Sequence, residues 1–388
     1  MSQQNSILKA SLLVAGTTIG GGMLALPVMT GLGGFFPSLL IYLICWAFMF
    51  GTGLLFLEVS QWVDKNANLV TMAETTLGLP GKIAAWILYL FLFYCLTLAY
   101  VVGCGELVAS WIPALPAGYG PWLFTALVAP LVFKGAKVVG KLNVWLMLGL
   151  GLSFFLFVVL GASYVRTDLL GYMNWRGSLI ALPICFTSFA YQGIIPTLIE
   201  YMNHDIRRAR TSIFIGTLIP LGAYILWQWL ILGIIPSGEL VEAMNLGQNA
   251  VQPLSQVLDN PVVYSLGNAF ALFALVTSFF GVTLGLVDFL ADGLAWEKNS
   301  KNKLLLCCGI FIPVLLIQAY NPHLFLKALE LAGGIGCATL LGLMPILMVI
   351  SGRYKQGRTA GYHLKGGATV LTLMLLFVLF VLFWTLYY

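Results

Sequence analysis

The feature that most constrains the fold of this chain is the alternation of long apolar runs with short polar segments. Most runs are about 20 residues long, and a helix of that length crosses the roughly 30 Å hydrocarbon core of a bilayer. Only 9% of the 388 residues are charged, whereas a soluble domain carries about 25%. We therefore predict an all-α integral membrane protein. The apolar runs cover residues 7–29, 36–63, 83–111, 121–133, 143–163, 177–203, 211–235, 262–291, 304–320, 325–350 and 368–388.

These eleven runs predict 11 transmembrane helices, and the basic residues predict their orientation. With the N-terminus in the cytoplasm, sixteen of the nineteen lysines and arginines fall in cytoplasmic segments, and only Arg166, Arg176 and Lys327 fall outside. Cytoplasmic loops carry such an excess of basic residues. Adding or removing one span in the middle of the chain would place several basic loops on the side opposite the cytoplasm. We therefore predict a multi-pass protein with a cytoplasmic N-terminus and a periplasmic C-terminus.

The sequence argues against several classes of function. The basic residues lie in short loops, so the net charge of +5 does not indicate a nucleic-acid partner. No phosphate-binding G-x-x-x-x-G-K-[ST] loop is present, and no H-E-x-x-H or G-x-S-x-G motif marks a catalytic centre. The seven cysteines lie in apolar runs without a C-x-x-C pair. We expect no enzyme activity, no cofactor and no cysteine metal site. The expected partners are the lipid bilayer and a small molecule, and the sequence leaves the oligomeric state open.

The first and sixth runs each contain a polar, glycine-containing centre followed by a proline. The first reads AGTTIGGGMLALP over residues 15–27, and the sixth reads ALPICFTSFAYQGIIPTLIEY over 181–201. The centres lie near Gly20 and Ala190. The prolines that follow them, Pro27 and Pro196, are separated by nearly the same number of residues as the two centres. This matched spacing predicts two related halves that are broken at the same place.

Each half holds five runs, and an odd number of spans forces the second half to be inverted. We therefore predict a first inverted repeat over residues 1–163 and a second over 177–350, a five-plus-five arrangement. The run at 368–388 is an additional C-terminal helix. Interrupted helices in corresponding positions of two repeats indicate the substrate site of a secondary transporter.

Glycine-rich breaks suit such a site because they free backbone groups at membrane depth. Unwound backbone is tolerated there only where it is buried or lines a cavity. One half-helix then offers N–H groups for a carboxylate, and the other offers carbonyl groups for an ammonium or a metal ion. A zwitterionic amino acid needs both. The alternative interpretation is that the glycines only allow neighbouring helices to pack closely.

Six segments of the chain resemble the bacterial aromatic amino acid permeases, the tyrosine and tryptophan permease family. The resemblance implies a leucine-transporter-type fold with discontinuous helices 1 and 6. It also implies proton-driven uptake of an aromatic amino acid across the bacterial inner membrane, with tyrosine expected first and tryptophan or phenylalanine as alternatives. The segments are VAGTTIGGGMLALP (14–27), AYVVGCGELVAS (99–110), CFTSFAYQGIIPTLIEYM (185–202), IPLGAYILWQ (219–228), FFGVTLGLVDFLAD (279–292) and AGYHLKGG (360–367).

The same resemblance implies which residues bind the substrate. They belong to the breaks at 16–22 and 187–193. Tyr100 is added to them because it lies on the third span, which flanks the breaks. Aromatic side chains among them would contact the substrate ring, and packing between helices is the alternative for each. Gln192 would contact a polar atom of the substrate ring. The implied residues are Gly16, Thr17, Thr18, Ile19, Gly20, Gly21, Gly22, Tyr100, Thr187, Ser188, Phe189, Tyr191, Gln192 and Gly193.

Two sets of residues are candidates for the coupling ion. Ala274, Thr277 and Ser278, with the carbonyl groups of Gly16 and Ile19, resemble the sodium position of this fold between spans 1 and 8. Hydroxyl and carbonyl oxygens suit a hard cation, although such hydroxyls also brace helices. Sodium coupling is therefore an alternative to proton coupling, and uncoupled flux or sensing is a further one.

Ionisable residues inside the spans are the second set, because charge at membrane depth is rare. Glu106 lies in the third span without a basic neighbour in sequence. It is a candidate to carry a proton, and a structural hydrogen bond to the backbone is the alternative. Four other carboxylates lie near cytoplasmic ends, where we expect ion pairs with lysine or arginine, namely Glu58, Glu200, Asp288 and Asp292. An inner gate would give the same pattern.

Overall fold

The computed structural model describes residues 3–64, 67–112, 114–116, 118–258, 260–297, 299–321 and 323–387. Within these ranges all regular structure is helical. Lys65 and Lys298, two of the basic residues counted above, lie outside the described residues.

The helices follow the apolar runs closely along the chain. Two π-helical segments, Ala332–Leu343 and Ser351–Lys355, and several short 3₁₀ segments extend or join the α-helices. The α-helices are α1 (Gln3–Thr18), α2 (Gly21–Thr30), α3 (Phe35–Val59), α4 (Leu69–Trp111), α5 (Gly120–Lys134), α6 (Ala136–Gly161), α7 (Thr167–Leu170), α8 (Leu182–Ser188), α9 (Ile195–Tyr201), α10 (Ile206–Ile234), α11 (Ser237–Asn245), α12 (Leu254–Val257), α13 (Pro261–Gly293), α14 (Ser300–Tyr320), α15 (Phe325–Leu331), α16 (Met344–Ile350) and α17 (Gly367–Tyr387).

Most of the predicted spans are long enough to cross a membrane. Nine helical segments within the described ranges pass this test by length and composition. α1 and α2 together form a tenth span, and they meet at a bend of 57°. α5, which corresponds to the fourth run, is apolar but has only 15 residues. The predicted total of eleven therefore stays a prediction.

Two spans differ from the simple helices that the apolar runs predict. α4 begins at Leu69, well before the predicted start at residue 83, and its backbone is non-helical at Gly78, where φ is +72°. Only glycine adopts that conformation without strain, and Pro80 follows, so the segment before Gly78 is kinked away from the span. The tenth run contains the π-helix Ala332–Leu343, a rare form that occurs often at functional sites.

The broken spans lie at the centre of the bundle. α1 packs along α10, α2 packs against α8, and α13 lies against both α4 and α6. All ten residues of α2 are buried. Helices from both predicted halves therefore surround the two breaks.

An ion pair joins the second and tenth spans near the end of the bundle where α1 begins. The Arg353 guanidinium donates to both carboxylate oxygens of Glu58 at 2.6 Å, and the Leu364 N–H donates to the same carboxylate at 2.9 Å. The expected pairing of Glu58 is thus confirmed. Within the described ranges, Glu200 and Asp292 form no ion pair, so the expectation fails for them.

Candidate functional site

The first break separates α1 from α2. α1 ends at Thr18, and Gly20 has an extended backbone with φ −162° and ψ −157°. Helical hydrogen bonding resumes when the Met23 N–H donates to the Gly20 carbonyl at 3.0 Å. Among the hydrogen bonds of the described residues, none is donated by the N–H groups of Gly20, Gly21 and Gly22. The N-terminus of α2 therefore presents three free donors.

The second break interrupts the sixth span. α8 ends at Ser188, and the backbone leaves the helix at Phe189 (φ −100°, ψ 12°) and Tyr191 (φ −144°, ψ −8°). A 3₁₀ turn over Gln192–Ile194 then leads into α9. The observed break falls inside the predicted interval of 187–193.

The glycines of the first break also allow close packing. A Cβ atom at Gly20 would lie 2.5 Å from the Ser278 hydroxyl oxygen, and one at Gly22 would lie 2.6 Å from that of Ser188. Real Cβ atoms do not approach other atoms this closely. Chain unwinding and tight packing, which the sequence offered as alternatives, therefore occur at the same residues.

A cavity of about 780 Å³ lies between the two breaks. Exposed residues along it, such as Leu12, Leu13 and Thr197, lead toward the end of the bundle where α1 begins. The cavity is therefore accessible from that end. The predicted residues that line it are Gly16, Thr17, Thr18, Gly20, Gly22, Tyr100, Thr187, Tyr191, Gly193, Thr277 and Ser278.

Aromatic and amide side chains close the opposite end. Phe189 is 2% exposed, and its ring packs edge-on against Tyr42 and Tyr224 at centroid distances of 6.3 Å and 5.2 Å. The Tyr42 hydroxyl donates to Gln228 Oε1 at 2.6 Å, and Gln228 Nε2 donates to the Thr30 hydroxyl at 2.5 Å. Phe189 is thus part of this barrier and does not line the cavity in this conformation.

Gln192 points toward α3 and away from the cavity, in contrast to our expectation. Its Nε2 donates to the Met49 carbonyl at 3.1 Å and to the Thr52 hydroxyl at 2.9 Å, and its Oε1 accepts from the Tyr191 N–H at 2.9 Å. A side chain in an unwound segment turns toward whichever neighbour satisfies its amide. Here that neighbour is α3, so Gln192 anchors the second break.

Glu106 lies outside the cavity, on the closed side. Its carboxylate accepts a hydrogen bond from Gln252 Nε2 at 3.1 Å, in the loop between α10 and α13. The same loop binds the second half of the first span, because the Ala250 N–H donates to the Leu24 carbonyl at 3.0 Å. Glu106 therefore has a hydrogen-bonding partner, but that partner is a side chain and not the backbone that the alternative expected. The other predicted residues that do not line the cavity are Ile19, Gly21, Ser188 and Ala274.

The hydroxyl groups of the candidate cation site bond to their own helix. Thr277 Oγ1 donates to the Phe273 carbonyl and Ser278 Oγ to the Ala274 carbonyl, both at 2.8 Å. Each oxygen keeps a lone pair for another partner. No cluster of three His, Cys, Asp or Glu side chains occurs in the described part of the chain, so a cation between spans 1 and 8 would be held by hydroxyl and carbonyl oxygens.

The wall that α4 contributes is the part of the site that sequence reasoning largely missed. Tyr89, Leu92, Phe93 and Leu96 line the cavity in addition to Tyr100. Their spacing of three and four residues places them on one helix face. That spacing is visible in the sequence, but an apolar face in a membrane span fits lipid contact equally well.

Comparison with known proteins gives matches over almost the whole chain. The sequence profile described as the tryptophan/tyrosine permease family matches residues 3–385. The Tyrosine-specific transport system 2 of Haemophilus influenzae is 32% identical over 390 residues, which cover 96% of this chain and 94% of that protein. The Tryptophan-specific transport protein of the same organism is 30% identical over 401 residues, which cover 97% and 95%.

Solved structures give a similar result for the overall fold. The crystal structure of MhsT in complex with L-phenylalanine has a TM-score of 0.65 and covers 99% of this chain and 98% of that chain. The sequence identity is 15%, so this likeness concerns the fold alone.

Proposed function

The chain belongs to the tryptophan/tyrosine permease family, and from this we propose that it imports an aromatic amino acid by proton symport, as a secondary transporter with alternating access. Its fold is of the leucine-transporter type. We place it in the bacterial inner membrane. We take tyrosine as the first expected substrate, since the relative with 32% identity is named for tyrosine, with tryptophan and phenylalanine as alternatives.

The observation that carries the proposal is the pair of breaks beside one cavity. The free N–H groups of Gly20, Gly21 and Gly22 stand at the N-terminus of α2, where the helix dipole favours a negative charge. α1 and α8 end beside the same cavity, which Thr18 and Thr187 line, and carbonyl ends favour a positive charge. A substrate with a carboxylate and an ammonium on one carbon matches this pair.

The remaining wall suits an aromatic side chain. Tyr89, Phe93 and Tyr100 of α4 supply rings, and aromatic rings pack favourably against one another. The volume of about 780 Å³ lies within the range of about 300–1,000 Å³ that is usual for small-molecule sites. The cavity therefore has room for a bulky amino acid with water around it.

The position of the opening fits one state of an alternating-access cycle. The cavity opens at the end where α1 begins, which the positive-inside bias assigns to the cytoplasm. The structure then corresponds to an inward-facing state that is closed on the periplasmic side by Tyr42, Phe189 and Gln228. An outward-facing state requires that the hydrogen bonds of Gln228 to Tyr42 and Thr30 break.

We assign proton coupling to Glu106 as the first candidate. Glu106 is an ionisable side chain inside a membrane span, and such residues often lie on ion pathways. Its hydrogen bond to Gln252 links it to the loop that covers the closed side. Protonation there would accompany opening of the periplasmic side and loading of the substrate.

Sodium coupling is the second candidate because Thr277 and Ser278 lie where the first break meets α13. Ser278 is the side chain closest to Gly20, and both hydroxyls line the cavity. A cation held there would join the first and eighth spans.

Uptake into proteoliposomes tests the proposal. Labelled tyrosine is offered with a pH gradient, a sodium gradient or neither, and unlabelled tryptophan, phenylalanine and glutamine compete. We expect accumulation with the pH gradient alone, and competition by the aromatic amino acids only. Accumulation with sodium alone would favour the second candidate, and flux that no gradient concentrates would indicate a channel.

Two variants separate the candidate ions. Glu106→Gln is expected to abolish accumulation driven by the pH gradient while leaving tyrosine exchange between equal concentrations intact. Thr277→Val is the matched control, and it should leave proton-driven accumulation unchanged. Loss of proton-driven accumulation in Thr277→Val but not in Glu106→Gln would assign the coupling site to α13.

A further inference from the structure

Tyr224, in the segment IPLGAYILWQ (219–228), is a buried residue whose ring packs against Phe189 and whose hydroxyl the site described above does not use. It lies on α10 and is completely buried. Its hydroxyl lies 2.8 Å from the carbonyl oxygen of Thr18 and 2.8 Å from that of Ser188. Thr18 is the last residue of α1 and Ser188 is the last residue of α8. One side chain therefore contacts both helix ends that face the breaks.

The carbonyl oxygens of Thr18 and Ser188 have few hydrogen-bond partners. The last carbonyl groups of a helix lack partners within the helix. Among the hydrogen bonds of the described residues, Tyr224 is the only donor recorded for either oxygen. A phenol has a single O–H, so it cannot fully satisfy two acceptors, and each carbonyl oxygen also has a second lone pair. Acceptor capacity is therefore left over at this point.

The geometry fixes the spacing of the two oxygens. Since each lies 2.8 Å from the same hydroxyl oxygen, their separation cannot exceed twice that distance. An ammonium nitrogen that donates to two carbonyl oxygens at about 2.9 Å each bridges a similar separation. The C-terminal ends of α1 and α8 add negative potential there. The pair is therefore suited to a primary ammonium.

We propose that Tyr224 is a positioning residue that holds the carbonyl oxygens of Thr18 and Ser188 as a pair spaced for the α-ammonium of the substrate. The proposal rests on the proposed function and deepens it. Tyr224 need not touch the substrate, because it reaches the carbonyl groups from α10, behind the cavity wall. Without its hydroxyl, the ends of α1 and α8 lose a hydrogen-bonding partner that they share.

Gln228, one turn further along α10, provides a comparison within the same helix. Gln228 joins the end of α2 to α3 through Thr30 and Tyr42, and neither hydrogen bond involves the carbonyl oxygen of Thr18 or of Ser188. Tyr42→Phe therefore removes a buried tyrosine hydroxyl of the same bundle but leaves the carbonyl pair intact. It is the matched control for Tyr224→Phe.

The test measures whether each tyrosine hydroxyl contributes to binding of the amino group or of the carboxylate of the substrate. Purified wild-type protein, Tyr224→Phe and Tyr42→Phe are placed in lipid nanodiscs. Binding is measured for tyrosine, for tyramine, which lacks the carboxylate, and for 3-(4-hydroxyphenyl)propionate, which lacks the amino group. Tyr224→Phe is expected to weaken binding of tyrosine and tyramine about tenfold and to leave the deaminated analogue unchanged. Tyr42→Phe should leave the ratio of tyrosine to deaminated analogue at the wild-type value.

The outcomes separate this proposal from the proposed function. Equal weakening of tyrosine and the deaminated analogue in Tyr224→Phe, or no weakening of either, would overturn the role of Tyr224 alone. A wild-type protein that binds none of the aromatic amino acids would overturn the proposed function and this inference with it. Tyr224→Gln, which retains an N–H donor, is a second variant in case the phenylalanine variant does not fold. It should keep more of the preference for tyrosine over the deaminated analogue than Tyr224→Leu does.

Discussion

Replacing Gly21 by alanine perturbs the first break with little change in chemistry. The new Cβ would lie 2.6 Å from Cε1 of Tyr100 and 2.9 Å from Cδ2 of Leu275. Favourable contacts between carbon atoms are about 3.5–4.0 Å long, so α2 or its neighbours must move by about 1 Å. Both neighbours are buried parts of other spans, and overpacking of this kind typically costs about 1–3 kcal/mol.

We expect this displacement to weaken substrate binding, because the start of α2 carries the donors assigned to the carboxylate. If most of the cost falls on the bound state, the dissociation constant for tyrosine rises about 10- to 100-fold, since about 1.4 kcal/mol corresponds to a factor of ten. The assay is equilibrium binding of labelled tyrosine to protein in nanodiscs, with the thermal unfolding midpoint recorded on the same samples.

Gly222→Ala is the matched control for Gly21→Ala. Gly222 lies within α10, and an added Cβ there meets no atom within 4 Å. Alanine is the better helix former, so this variant should bind tyrosine as the wild type does and unfold at the same or a higher temperature. Wild-type affinity and stability in Gly21→Ala would refute the reasoning that close contacts fix the position of the break.

The remaining predictions concern side chains outside the first break. Glu58→Gln leaves the Arg353 guanidinium largely buried without its charged partner, so we expect a loss of roughly 3 kcal/mol in unfolding free energy. A lowered thermal midpoint, recovered in part when both residues become leucine, would support this; an unchanged midpoint would contradict it. Gln192→Leu removes the hydrogen bonds to α3 and should lower the thermal midpoint. Gln256→Leu, at an exposed position, should leave the midpoint unchanged. Gln252→Ala removes the donor to Glu106, and hydrogen exchange should rise in residues 246–258 but not in α3.

The positions of the spans and both breaks could be predicted from the sequence because the bilayer leaves few options. A membrane helix needs a long apolar run, and a polar, glycine-rich interval within one is tolerated only near a cavity. The intervals around Gly20 and Ala190 therefore located the breaks to within a few residues. The ion pair of Glu58 could also be predicted from the sequence, because a buried carboxylate near a basic loop needs a partner.

The orientation of individual side chains could not be predicted in this way. Gln192 and Phe189 lie in an unwound segment, where neither helical nor strand periodicity indicates a direction, and both turned out to face other helices. The π-helix in the tenth span has no periodic signal of its own. Tyr224 was missed because its partners are carbonyl groups far away in sequence, which only the folded bundle brings together.

A structure of the protein with a bound aromatic amino acid tests the central claim most directly. We expect the carboxylate at the N–H groups of Gly20–Gly22 and the ammonium within hydrogen-bonding distance of the Thr18 and Ser188 carbonyl oxygens. The ring should lie against the wall formed by α4. A ligand bound elsewhere, or first and sixth spans that run as continuous helices past an empty centre, would contradict the account.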